Sequence, residues 1–202
     1  MVNESWFNNR VARPRSITDE RLLNAAETVI GMVGPGFTLA QVAAEAGVAV
    51  GTVAQRFGSK NGLLQALSRL NTRSVVGRMR ECGELTDPVE ALRAAVVVVY
   101  EGLGTPETAA NHLGQLGVDI GDPELRALLG AHFIAVEAEL RRLTRVAARD
   151  LPGAPGVVRA ARVLLGVANG AALDWSIRPK GRFVDRVGQD VDAVLTAWKG
   201  VS

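Results

Sequence analysis

Between Phe37 and Lys60 the chain reads FTLAQVAAEAGVAVGTVAQRFGSK. Its few polar side chains suit the recognition of a double helix rather than the making or breaking of bonds. Gln55 carries an amide that can bond an adenine edge at two points, and Arg56 can reach a guanine edge or a phosphate. Thr52 can donate to a phosphate or a base edge, and Val50 offers a methyl surface to thymine. Gly51 permits close approach, while Ala49 and Ala54 add only methyl groups. Thr38, at a helix start, and Lys60, by its charge, stand where a phosphate backbone would pass on either side.

Two short helices must hold these groups. Thr38 followed three residues later by Gln41 is a capping-box spacing. Leu39, Val42, Ala43 and Ala46 then recur on one face. Gly47 supplies a left-handed stop, and Val50, Val53 and Phe57 give the second helix a buried side. Helix, glycine and helix alone would fit any αα corner. The small Ala43 at a close crossing, the apolar Val48 after the turn, the unbulky Gly51-Thr52 start and Ser59-Lys60 at the next start favour a helix-turn-helix, whose second helix enters the major groove with positions 49–52 leading.

The run F-T-x-x-x-V-A-x-x-A-G-V-A-x-G-T-V-x-x-x-F-x-S-K resembles the DNA-binding domain of the TetR family of bacterial transcriptional regulators. The likeness covers about the first third of the chain. The family usually has an aromatic residue at the position of Ala54 and often Ser at that of Ala49, both commonly contacting the DNA backbone. Those contacts fall here to Thr38, Thr52, Gln55, Arg56 and Lys60. The resemblance implies a dimer through a four-helix bundle of the two C-terminal helices of each subunit. It also implies a small-molecule pocket within helices four to eight, whose occupant changes the separation of the two reading helices and frees the DNA. A dimer would read a roughly palindromic operator.

The rest of the chain predicts an all-α protein of about nine helices. Of its 202 residues, 48% are hydrophobic and only 4% aromatic, so the core is built of Ala, Val and Leu. Residues 1–80 carry 10 Lys/Arg against 5 Asp/Glu, and residues 81–202 carry 13 against 16. The basic excess thus accompanies the DNA-reading stretch. Residues 1–15 are expected to form a disordered arm, either one whose Arg10, Arg13 and Arg15 reach phosphates or the minor groove or a plain solvated tail. Residues 16–62 form the helix-turn-helix domain, braced by a helix from Ser59 to about Glu81. Residues 63–202 form the effector-binding and dimerisation domain.

The first helix spans Thr18 to Val33 and ends at Gly34-Pro35-Gly36. Asp87-Pro88, Thr105-Pro106 and Asp122-Pro123 each pair a cap with a proline at a helix start. The apolar stretch Ala94–Tyr100 would also suit a strand, but its caps favour a helix. The sixth helix is expected to end near Gly117 and the seventh near Ala148. The eighth, Val157–Ile177, is rich in Gly and Ala. The ninth sets Phe183, Val187, Val191, Val194 and Trp198 on one side. These last two helices look made to dock against a second copy. Polar or aromatic residues amid the apolar helices, Tyr100, His112, His132, Asn169, Asp174 and Trp175, are the candidate effector-site residues.

Enzymatic function is not expected. There are two His and one Cys, and no nucleophile elbow, Walker loop or zinc-ligand spacing. The Gly31–Gly36 cluster has neither a preceding strand nor a following Lys-Ser/Thr, so it is not a phosphate loop. No metal, cofactor or catalytic residue is assigned. The single Cys82 fits a reducing compartment, and no apolar run is long enough for a signal peptide or membrane span, which points to the cytoplasm. The competing reading is a helical dimeric interaction module whose DNA reader has decayed.

Overall fold

The computed structural model describes residues 17–200. The sequence expectations for the 1–15 arm and its arginines lie outside them. The described residues form nine α-helices and no strand. These are α1 (Asp19–Val33), α2 (Leu39–Ala46), α3 (Val50–Phe57), α4 (Lys60–Cys82), α5 (Pro88–Val98), α6 (Pro106–Gly121), α7 (Pro123–Val146), α8 (Val157–Ile177) and α9 (Phe183–Lys199).

Local chemistry sets most of the boundaries. Thr18, Thr38, Ser59, Asp87, Thr105 and Asp122 all accept a backbone N–H of the first turn that follows them. At Thr38 the box is reciprocal: its hydroxyl accepts from the Gln41 N–H at 3.2 Å, and Gln41 Oε1 accepts from the Thr38 N–H at 2.8 Å. Gly47 adopts φ 70°, ψ 37°, the left-handed conformation the α2–α3 turn requires. Two ends differ from the spacing-based expectation. α6 runs past Gly117 to Gly121, because nothing in its sequence stops it until Pro123 forces Asp122 into extended backbone. α5 closes at Val98, leaving Val99 and Tyr100 in a turn.

Two apolar clusters organise the helices. The front one joins Leu22, Ala26, Val29 and Ile30 of α1 to Phe37, Val42, Val53 and Leu63, and it takes in Leu67 of α4 and Leu125 of α7. Full burial of a side chain such as Phe37 contributes about 1.5–3 kcal/mol. The larger cluster packs α5, α7, α8 and α9 around Leu92, Val96, Leu140, Leu164, Val187 and Val191. On α9 the buried stripe includes Leu195, with Val194 and Trp198 only partly covered. The halves also meet where α6 rests on α1 and the 3-10 turn Gly34–Gly36. Asn111 Nδ2 donates to Gly31 O at 2.8 Å, and a Cβ on Gly114 would lie 3.2 Å from Pro35 Cδ.

Candidate nucleic-acid interface and effector site

α3 is anchored by Val53, which is fully buried, and by the half-buried Phe57. With 3.6 residues per turn, that anchorage turns other positions outward. Ala49, Val50, Gly51, Gln55 and Arg56 are exposed, Val50 at 51%, and Thr52 and Ala54 are half-buried. Exposing a valine at the head of a helix gains nothing for the fold by itself. Ala49 caps α3 with no side-chain bond, and a Cβ at Gly51 would meet nothing within 4 Å. The head of α3 is therefore open to a close-approaching surface. Among the described residues no side-chain hydrogen bond holds Thr52 or Gln55.

The two cations of the stretch have partners within the chain. Arg56 pairs with Asp19, the first residue of α1. Lys60 Nζ turns inward, donating to Pro35 O at 2.6 Å and Phe37 O at 2.8 Å, and stands 4.1 Å from the centre of the Phe37 ring. Burial lowers the Lys60 pKa from its ordinary value. Thr38 is exposed beside this group, at the start of α2.

The six candidate effector-site residues fall into three places. Tyr100, Asn169 and Trp175 lie together: the buried Tyr100 hydroxyl donates to Asn169 Oδ1 at 2.7 Å, and Trp175 Nε1 donates to Gly181 O at 3.3 Å. Burial pushes the Tyr100 phenol well above its usual range. Phe183 completes the cluster, its ring centre 5.2 Å from that of Trp175 and 6.2 Å from that of Tyr100. Asp174, next to Trp175, pairs with Arg178 and Arg186. His132 sits apart, Nδ1 3.1 Å from the Thr72 hydroxyl, between α4 and α7. His112 lies at the α1–α6 contact, its Nε2 3.6 Å from where a Cβ on Gly31 would stand. Burial lowers both histidine pKa values.

Sequence reasoning missed three buried polar residues: Thr144, whose hydroxyl donates to Leu140 O at 2.7 Å, and the longer Glu139 and Gln115. Glu139 on α7 accepts from Arg142 Nε at 2.7 Å and faces Arg80 at 3.9 Å. Gln115 on α6 donates to Asp119 at 2.8 Å, and its buried Oε1 has no partner among the described residues. Both sit at apolar-stripe positions of their helices, and that mismatch was a usable signal. A surface cleft of about 390 Å³ lies between α1 and α2, lined by Val29, Met32, Val33, Gln41, Ala44 and Glu45, none of them among the six. Among the described residues no helix is long and apolar enough to cross a membrane.

The comparisons with known proteins agree with this geometry. The sequence profile of the bacterial regulatory proteins, tetR family, matches residues 22–67, which hold α1, α2, α3 and the start of α4. No curated protein matches the sequence. Similar solved structures include the TetR-family transcriptional regulator PfmR of Thermus thermophilus, at 22% identity and TM-score 0.66, covering 87% of this chain and 97% of that one. The fatty acid degradation regulator FadR of Bacillus halodurans aligns at 20% identity and TM-score 0.70, covering 92% and 100%. FadR of Bacillus subtilis, solved with stearoyl-CoA, aligns at 19% identity and TM-score 0.68, again covering 92% and 100%. At these identities the structural likeness speaks for the fold, an N-terminal helix-turn-helix domain followed by a helical domain. Together with the profile match on residues 22–67, it shows that this chain resembles the TetR-family regulators in its helix-turn-helix sequence and in its fold.

Proposed function

We propose that the chain is a dimeric repressor that leaves a palindromic operator when a small molecule binds its C-terminal domain, and that it works in the cytoplasm without catalysing a reaction. The observation that carries this reading is the outward face of α3, where Val50, Gly51, Gln55 and Arg56 are exposed on a helix pinned to its domain by Val53. Homodimerisation through α8 and α9 is supported by the outer face of α8. Val163, Gly166, Gly170, Leu173 and Ile177 recur there at helical spacing and are exposed, Leu173 at 51% and Ile177 at 70%. A Cβ on Gly166 or Gly170 would meet nothing within 4 Å, so a second helix could approach closely.

For the effector, the apolar C-terminal helices and the likeness to a FadR solved with stearoyl-CoA favour an apolar, acyl-type ligand. Tyr100, Asn169 and Trp175 are its first candidate contacts. The seat of α6 on Gly31 and Pro35 offers a route from that ligand to the reading helices. The ligand acts only through a difference in affinity between the two spacings of those helices.

The test is a gel shift with duplex DNA from upstream of the protein's own gene and its neighbours, with light scattering for the oligomer. Salt-sensitive retardation of a near-palindromic fragment by a dimer, relieved by a long-chain acyl-CoA, is the expected result. No retardation at any such fragment would sink the repressor reading. It would favour the second one, a helical dimeric interaction module with a decayed reader, for which the inward Lys60 and the bare Ala49 and Ala54 speak.

A further inference from the structure

The Arg56–Asp19 pair bears on how strongly the reading helix can hold DNA, and this inference rests on the DNA-binding reading above. Arg56 stands in the last turn of α3 and Asp19 in the first turn of α1. Each helix end favours the charge it carries, since the macrodipole is negative at the C-terminus of α3 and positive at the N-terminus of α1. The pair bridges residues 37 apart in sequence. Both side chains remain open to water, Arg56 at 39% and Asp19 at 58%, so the pair is not locked in by burial. Exposed pairs of this kind are weak and screened by salt. A phosphate is a comparable partner for the same guanidinium.

We propose that Asp19 is a positioning residue that competes with the DNA phosphate for Arg56 and so holds down affinity for duplex DNA. While Arg56 is paired, its charge is cancelled within the protein and releases no counterion from DNA. Each phosphate contact steepens the dependence of log K on log salt by about 0.9. One competed cation therefore has a definite signature. Glu20, the next residue in the same turn, makes no ion pair among the described residues, and it serves as a control for loss of charge alone.

The experiment measures binding to one duplex across a salt series for the wild type, Asp19→Asn, Asp19→Glu, Glu20→Gln, Arg56→Gln and the Asp19→Asn/Arg56→Gln double variant, each checked for folding by thermal melting. Asp19→Asn should tighten binding several-fold at low salt, with a slope steeper by about 0.9. Asp19→Glu, which keeps the charge, should behave as wild type, and Glu20→Gln should gain less than Asp19→Asn. Arg56→Gln should abolish the gain. The inference is overturned if the Asp19→Asn gain survives in the Arg56→Gln background, or if Glu20→Gln matches it in both affinity and slope. A wild type that binds no duplex at any salt would overturn the DNA-binding reading itself, and this inference with it.

Discussion

Lys60 and Phe37 form a closed joint at the base of the helix-turn-helix domain. The ammonium lies 4.1 Å from the ring centre, donates to the Phe37 carbonyl at 2.8 Å and reaches on to the Pro35 carbonyl at 2.6 Å. The first residue of α4 thereby fastens the turn between α1 and α2, on which α6 rests through Pro35 and Gly114.

Lys60→Met keeps the stem and removes the ammonium, leaving two carbonyls without their donor. Charge-assisted bonds of this kind contribute about 1.5–3 kcal/mol, so the variant should lose roughly 1–3 kcal/mol of stability. A urea melt checks it through the midpoint. An unchanged midpoint would mean that water replaces the ammonium at no cost.

Gly34 has φ 72°, and a Cβ there would stand 2.8 Å from Asn111 Oδ1. Gly34→Ala should therefore destabilise by about 1–2 kcal/mol from backbone strain, with displacement of Asn111 adding to it. Thermal melting of the variant beside Gly36→Ala, where a Cβ meets nothing within 4 Å, isolates the effect.

Gln55→Ala should cost about 1–3 kcal/mol on the operator and relax the preference at one base position. Binding measured against a panel of single-base operator variants reads this directly. An equal loss on every sequence would show that Gln55 touches only phosphate.

Leu173→Glu places a charge on the outer face of α8, and it should shift the protein from dimer to monomer at micromolar concentration. Leu173 is half exposed in the single chain, so the fold of the monomer should survive. Light scattering gives the mass and circular dichroism the helix content. A dimer that persists would move the interface off this face.

The burial of His112 and His132 predicts a pH dependence of stability. Both have pKa values lowered below 6.5, so the unfolded chain binds more protons than the folded one as pH falls. Their contribution is full above the unfolded value and declines as pH drops from about 6.5 towards the folded values. Glu27 and Asp119 have values raised by burial and act in the opposite sense, their contribution being lost as pH rises through the folded values. The melting temperature should fall between pH 7.5 and 5.5, and His112→Asn/His132→Asn should flatten the decline.

Much of this protein is legible in its sequence because its signals are local. The capping box at Thr38, the left-handed Gly47 and the prolines after Asp87, Thr105 and Asp122 depend only on residues within one turn of each other. The same holds for the 3.6-residue stripes of α2, α3 and α9, and the motif at 37–60 marks α3 as the helix we propose is offered to DNA. Side-chain partners between helices are a different matter. That Arg56 meets Asp19, that Lys60 turns towards Phe37, and that Tyr100, Asn169 and Trp175 gather while His112 and His132 stand apart depends on how α1, α4, α6 and α8 cross. Spacing assigns a residue to a face, whereas the opposing residue is set by the packing of the whole core, and a long cation goes to whichever anion or carbonyl that packing brings within reach.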